Sequence, residues 1–255
     1  MEIDQLRQLL ELVSQGDLSV EAAEQRLAVL QSGAGVKGVT LDLDRQSRCG
    51  FPEVIFGENK TAETIASTMQ AQRDYGQPSL ATRVSAEKAE VVTARIEGVI
   101  YNETARVLRW NMEGSPAIPG RVLVISAGTS DLPVAAEAVE TLAWMEIDHE
   151  FIEDVGVAGP HRLLEHVEKL VAADVLIVVA GLEGALPSVV GGYVDCPVLA
   201  VPTSVGYSTA FGGITALLGM LNSCASNVLV TNVDAGFKAA YNAGVMLRRL
   251  KGTGA

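Results

Sequence analysis

The chain has 255 residues, 48% of them apolar but only 5% aromatic, and a formal net charge of -12. That length allows one large domain or two modest ones, and the apolar fraction supplies a core of Val, Ala, Leu and Ile, the composition of parallel sheets covered by helices on both faces. The acidic balance excludes a duplex nucleic-acid footprint. The opening Met1-Glu2-Ile3-Asp4 is no secretory leader, and the longest apolar run, 175–182, is far too short to cross a bilayer, so a cytoplasmic protein with neither membrane nor nucleic-acid partners is expected.

Residues 2–31 read as two helices. Ile3, Leu6, Leu9, Leu10 and Val13 recur at helical spacing, Gly16-Asp17 breaks the run, and Ser19 caps a second helix through Leu30 with Leu27 on its apolar face. With only Arg7 and Arg26 basic, this pair lacks the charge of a DNA-binding helix-turn-helix. Gly33, Gly35 and Gly38 mark a linker. A small α/β unit follows: strands over 39–42 and 54–56, a helix over 61–73, a strand over 80–84, a helix beginning at Ser85, and strand character over 99–110. The segment 114–120, with two glycines and two prolines, reads as the clearest linker in the chain. The expected domains are therefore 1–34, 35–115 and 116–255.

Beyond the linker the rhythm is regular. Apolar runs begin near Val122, Glu150, Val175, Val198 and Val228, with helical stretches over 134–145, 163–172, 186–192, 214–221 and 237–250. Five strands alternating with five helices predict right-handed βα crossovers and a parallel sheet. Ligands bind such sheets beyond the strands' carboxyl ends, and Gly128, Gly156, Gly181 and Gly206 fall there.

Charge is distributed unevenly. Between Ser126 and Phe237 only Arg162 and Lys169 are basic, so an anionic, nucleotide-like ligand in this half is expected to rest on backbone N–H groups at loops and helix N-termini. The first half holds Arg45, Arg48, Lys60, Arg83, Lys88 and Arg106. Those cations fit a solvated mixed-charge surface, and they fit equally a set offered to a substrate phosphate.

Four loops carry candidate chemistry. The first is Ser126-Ala127-Gly128-Thr129-Ser130-Asp131-Leu132-Pro133. Ser130 or Asp131 there suits a helix N-cap, and the stacked hydroxyls and amides suit a phosphate. The second, Gly156-Val157-Ala158-Gly159-Pro160-His161-Arg162, sets a proton-transfer group beside an anion-binding one. The third, Gly181-Leu182-Glu183-Gly184-Ala185-Leu186-Pro187, puts a carboxylate inside glycine-rich backbone, either as an N-cap or as a base. The fourth runs from Val201 through Gly212-Gly213 into the helix that leads to Cys224. The three cysteines, Cys49, Cys196 and Cys224, show neither disulfide nor metal-ligand spacing.

In this order the loops, together with Asn242-Ala243-Gly244-Val245-Met246, resemble the aminoimidazole ribonucleotide carboxylase family over roughly 121–250. The departures are informative. The purine enzymes have Ser-Ala-His-Arg where this chain has Ala158-Gly159-Pro160-His161-Arg162, and they lack counterparts of Glu183, of Cys224 and of the first domain. That domain, with Leu41-Asp42-Leu43-Asp44-Arg45, Arg48-Cys49-Gly50-Phe51-Pro52-Glu53-Val54-Ile55-Phe56-Gly57 and Ala81-Thr82-Arg83-Val84, resembles the LarB family of nickel-pincer cofactor biosynthesis. The resemblance implies a three-layer, flavodoxin-like parallel sheet with a smaller N-terminal α/β domain, and a homo-oligomer, an octamer by analogy.

It also implies an activity: carboxylation of the pyridinium ring of nicotinic acid adenine dinucleotide at carbon 5 by CO2, and hydrolysis of its phosphoanhydride by water. The products would be pyridinium-3,5-biscarboxylate mononucleotide and AMP. An electron-poor pyridinium attacks CO2 only after a nucleophile adds beside its nitrogen, and a thiol both adds and leaves well. Cys224 is the nucleophile the family implies, although a lone cysteine is otherwise a small buried hydrophobe. Glu183 is the candidate base and His161 the second. Arg162, with Ser126, Gly128, Thr129, Ser130, Asp131, Gly181, Gly184, Ala185, Gly212 and Gly213, is expected to bind substrate, with Asp131 orienting the ribose or the hydrolytic water. Arg45, Lys60 and Arg83 are expected to add cations. No tightly bound cofactor is expected, and a Mg2+ on the pyrophosphate is compatible although no ligand cluster for it is visible. The alternatives are a purine-pathway carboxylase or mutase and a non-catalytic dinucleotide-binding module.

Overall fold

The computed structural model describes residues 3–31 and 40–250. The glycine linker at Gly33, Gly35 and Gly38 and the first residue of the expected strand over 39–42 lie outside them. The chain divides into two compact units, one of residues 1–101 and 108–113, the other of residues 102–107 and 114–255.

In the first unit, α1 (Ile3–Gln15) and α2 (Val20–Gln31) form the expected pair. The Ser19 hydroxyl accepts the Ala22 N–H at 3.2 Å, as a cap should. Residues 40–42 are not a strand. Asp42 instead donates its N–H to Glu53 Oε2 at 2.8 Å, and a short helix α3 (Arg45–Cys49) follows. It stops at Gly50, whose φ of 89° is left-handed and suits glycine. Then come β1 (Ile55–Phe56), α4 (Ala62–Asp74), β2 (Ser79–Thr82), α5 (Ala86–Arg95), β3 (Ile100–Asn102) and β4 (Val107–Trp110). The sheet order is β1-β2-β4-β3, and β1 runs parallel to β2 with Ile55 opposite Ala81. Each of these two strands leads into a helix, so both carboxyl ends open on one edge. Ile55, Ile65, Met69, Ala81, Val92 and Leu108 fill the core beneath.

The second unit is the expected α/β layer structure. Its strands are β5 (Ile118–Ser126), β6 (Ile147–Ile152), β7 (Val175–Ala180), β8 (Val198–Pro202) and β9 (Val228–Val230), all parallel, in the order β6-β5-β7-β8-β9. Counted from β5, that is the 2-1-3-4-5 order of flavodoxin-like sheets, whose direction of winding reverses between β5 and β7. The linker expected over 114–120 ends early. Ile118 already pairs with Ile147, and an irregularity between Ile118 and Arg121 lets the strand continue.

Alternation along the strands sorts the helices. Leu123, Ile125, Leu176, Val178 and Ala200 pack against Leu163, Leu170, Leu186 and Met220 from α7 (Pro160–Leu164), α8 (Val167–Val171), α9 (Leu186–Gly191) and α10 (Ile214–Leu221). The opposite face is covered by α6 (Leu132–Trp144) and α11 (Gly236–Leu250), which approach closely enough that a Cβ on Gly236 would stand 2.1 Å from the Val134 carbonyl oxygen. The single helix expected over 163–172 is two short ones, broken at Glu165 and His166. β7 is buried along its whole length, as a central strand covered on both faces must be.

Candidate active site

The sheet reverses its winding between β5 and β7, so the loops beyond their carboxyl ends turn to opposite faces, the place where sheets of this order bind ligands. Three of the four candidate loops start at the ends of β5, β7 and β8; the second follows the edge strand β6. Ser126 ends β5. It is fully buried, and its hydroxyl has no hydrogen-bond partner. An orphaned hydroxyl there marks a polar position that the protein itself does not satisfy.

Asp131 does not point outward. Its side chain is 4% exposed; Oδ1 accepts the Thr203 hydroxyl at 2.7 Å and Oδ2 accepts the Gly128 N–H at 3.0 Å. Burial pushes its carboxyl above the usual aspartate value, against the pull of hydrogen bonds from Thr203, Gly128 and the Gly181 amide. One carboxylate thus ties the loop after β5 to the loop after β8. Thr203 lies within the fourth loop, where nothing local marks it: its partner is 72 residues away.

The Gly128 amide is engaged by Asp131, and the Gly184 N–H donates to the Gly181 carbonyl at 3.0 Å. The loops satisfy one another first because buried backbone groups need partners. The glycines serve close approach. A Cβ on Gly181 would lie 2.6 Å from both Thr203 Oγ1 and the Val205 carbonyl oxygen, and one on Gly213 would lie 2.7 Å from the Thr203 carbonyl oxygen.

Glu183 is exposed, in the turn between β7 and α9, and Ala185 immediately precedes α9. The Gly184 backbone packs on Ala216 and that of Glu183 on Gly219, so the turn rests on α10. Gly212, with φ 62°, and Gly213, with φ 97°, close the fourth loop just before α10. Cys224 lies three residues beyond the end of α10, exposed and with a free thiol. The Ser188 and Ser223 hydroxyls, 2.7 Å apart, fasten the start of its segment to α9. Glu183 and Cys224 therefore flank the same pair of packed helices, α9 and α10. Cys224 stands on the return from α10 to β9, apart from the Asp131 cluster.

In the second loop His161 is exposed. Arg162 Nη1 lies 2.8 Å from Asp154 Oδ2, with the guanidinium over Gly159. Lys169, the other basic residue between Ser126 and Phe237, lies 2.9 Å from Glu150, which also holds Arg121. Thr129 and Ser130 form a 3-10 turn that runs into α6. No charged side chain stands between Asp195 and Asp234, yet Tyr207, Phe211, Ile214, Leu218, Leu221 and Leu229 are all exposed there. Ile214, Leu218 and Leu221 share one face of α10.

The remaining expected residues belong to the first unit. Lys60 and Arg83 follow β1 and β2, at the carboxyl ends of that parallel pair, and Arg83 takes a left-handed φ of 57°. Arg45 opens α3, 4.0 Å from Asp42, which Arg48 also binds. Among the described residues no group of three or more His, Cys, Asp or Glu is arranged to hold a metal, and no helix is long and apolar enough to cross a membrane.

Residues 35–112 match the family described as the LarB/PurE-like N-terminal domain, and residues 121–254 match AIR carboxylase. An uncharacterized protein of Methanocaldococcus jannaschii is 38% identical over 95% of this chain and 97% of its own length. N5-carboxyaminoimidazole ribonucleotide mutases are similar over the second half: that of Methanocaldococcus jannaschii is 35% identical over 47% of this chain and 73% of its own. A crystal structure of Treponema denticola PurE2 superposes at a TM-score of 0.41 with 19% identity, over 52% of this chain and 80% of that one. With the two matches in this order along one chain, the protein belongs to the LarB family, in which an AIR carboxylase domain of the carboxylase/mutase type follows a LarB/PurE-like N-terminal domain.

Proposed function

We propose that this protein carboxylates the pyridinium ring of nicotinic acid adenine dinucleotide at carbon 5 and hydrolyses its phosphoanhydride. The products are AMP and the biscarboxylate mononucleotide, a precursor of a nickel-pincer cofactor. The observation that carries this reading is an exposed free thiol, Cys224, packed through α10 and α9 to the turn that bears Glu183. The Cys224 thiolate forms a C–S bond beside the ring nitrogen. Ring aromaticity is lost and the electron pair develops at carbon 5, which forms a C–C bond to CO2. A base, Glu183 or His161, takes the proton from carbon 5, and the C–S bond breaks to restore the ring. Water then cleaves the phosphoanhydride. A magnesium ion bound to the pyrophosphate would neutralise its charge.

The test is incubation with the dinucleotide and labelled bicarbonate, read by mass spectrometry. Wild type yields AMP and the labelled biscarboxylate, and Cys224→Ala yields no label. Full carboxylation by Cys224→Ala sinks the cysteine mechanism. Release of AMP without label would mean hydrolysis alone, and intact dinucleotide would mean a binding module. Turnover of aminoimidazole ribonucleotide indifferent to Cys224 would favour the mutase reading, which the likeness to the mutases supports. We further propose a cytoplasmic homo-oligomer, octameric as the resemblance implies. The charge-free exposed face of α10 supports self-association in a chain of net charge -12, since homomeric interface cores are depleted of charge. Light scattering after size exclusion tests it: a monomer refutes it.

A further inference from the structure

The second unit contains a carboxylate whose contacts are all internal, although it sits where a ligand contact was expected. Asp131 lies at the carboxyl edge of the sheet, yet its two oxygens accept the Thr203 hydroxyl at 2.7 Å and the Gly128 N–H at 3.0 Å. Each donor comes from a different strand-end loop. Asp234 secures the next residue of the fourth loop: its Oδ1 accepts the Ser204 N–H at 2.8 Å, while its own N–H donates to the Pro202 carbonyl at 2.9 Å. The base of that loop is therefore clamped between two carboxylates, while its distal aromatics, Tyr207 and Phe211, are 84% and 72% exposed.

We propose that Asp131 and Thr203 are a positioning pair: through their shared hydrogen bond they hold together the loops after β5 and β8, on which the loop after β7 packs. Three arguments support this. Both oxygens of the carboxylate are engaged within the protein. Ser126, by contrast, keeps a buried hydroxyl without a partner on the same edge, so the polar group left for a ligand is the serine. Finally, Gly181 admits no side chain, because a Cβ there would stand 2.6 Å from Thr203 Oγ1, so the third loop packs directly on the tether.

The activity arm of the test rests on the proposed function, and the exchange arm does not. In the full chain, Thr203→Val removes the hydroxyl at nearly constant volume and Thr203→Ser retains it. Asp131→Asn and the double variant complete a cycle. Expected are a loss in kcat/KM of about tenfold for Thr203→Val, near recovery in Thr203→Ser, and a double variant no worse than its worse single parent. Amide exchange at Gly128 and Gly181 should accelerate in Thr203→Val. Losses that multiply in the double variant would show Asp131 acting on its own and overturn the proposal. So would a Thr203→Ser variant as impaired as Thr203→Val. Should wild type fail to turn over the dinucleotide, the proposed function falls, and amide exchange alone decides the tether: unchanged exchange at both glycines overturns it, faster exchange supports it. If Thr203→Val does not fold, Asp131→Asn carries the same exchange comparison.

Discussion

Replacing Gly181 with alanine tests whether the strand-end loops are as tightly interlocked as their contacts imply. The added methyl would stand 2.6 Å from Thr203 Oγ1, 2.6 Å from the Val205 carbonyl oxygen and 2.8 Å from Val205 Cβ. Neither oxygen can retreat freely. The Val205 carbonyl accepts the Leu182 N–H at 2.9 Å, and Thr203 Oγ1 donates to Asp131. Losing the backbone bond costs about 1 kcal/mol and weakening the bond to a carboxylate about 1.5–3 kcal/mol. Overpacking alone costs about 1–3 kcal/mol. These overlap, because a loop that moves relieves the clash by breaking the bonds, so a net loss of about 3 kcal/mol is expected. For a unit of this size that lowers the thermal midpoint by about 6–12 °C. Circular dichroism melts of the full chain, wild type and Gly181→Ala side by side, read it directly. A midpoint within about 1 °C of wild type would refute the interlock. Gly212→Ala is the internal control. Nothing lies within 4 Å of its Cβ position, so only the φ of 62° penalises it, by about 1 kcal/mol.

Thiol chemistry should separate the three cysteines. Cys49 and Cys224 are exposed, whereas burial pushes the Cys196 thiol up to about 11, so a disulfide reagent at mildly alkaline pH should titrate two thiols quickly and the third only on unfolding. Fast reaction of all three would contradict the placement of Cys196. The Asp131 carboxyl is raised by burial above its ordinary value of 3.8, so just above that pH the folded state retains a proton the unfolded chain has lost. Its contribution to stability therefore declines as pH rises through this window. In urea titrations wild type should lose ground to Asp131→Asn as pH increases from 3.8, and the opposite trend would refute the assignment. Leu176→Ala, at a fully buried position of the central strand, should cost about 2–5 kcal/mol, and Leu229→Ala, on the short exposed edge strand, much less. Equal losses would contradict the burial.

The layer structure was legible because β-branched and apolar runs recur between helical periods, and α10 begins and ends where its spacing says. The strand order was not legible: it depends on which runs pair, and nothing local to Val122 says that it lies between Val175 and His149. The helix α3 went unread, although Gly50 followed by Pro52 is a stop signal that could have found it. In the candidate site the residue types were visible, but their engagement was not. Asp131 reads equally as cap or ligand group until Thr203 is found 72 residues away, and that contact depends on β5 and β8 ending at the same edge of the sheet. Arg162 reads as a free cation until Asp154 is seen beside it.

The uncharged surface between Asp195 and Asp234 bears on ionic strength. Copies of a chain with net charge -12 repel one another over the Debye length, about 8 Å in physiological salt, while a face without charges has nothing of its own to screen. Added salt therefore removes the repulsion and leaves the apolar attraction intact. Assemblies formed through α10 should tighten as salt is raised, the reverse of the behaviour of complexes built on ion pairs, and dilution in low salt is the condition under which they come apart.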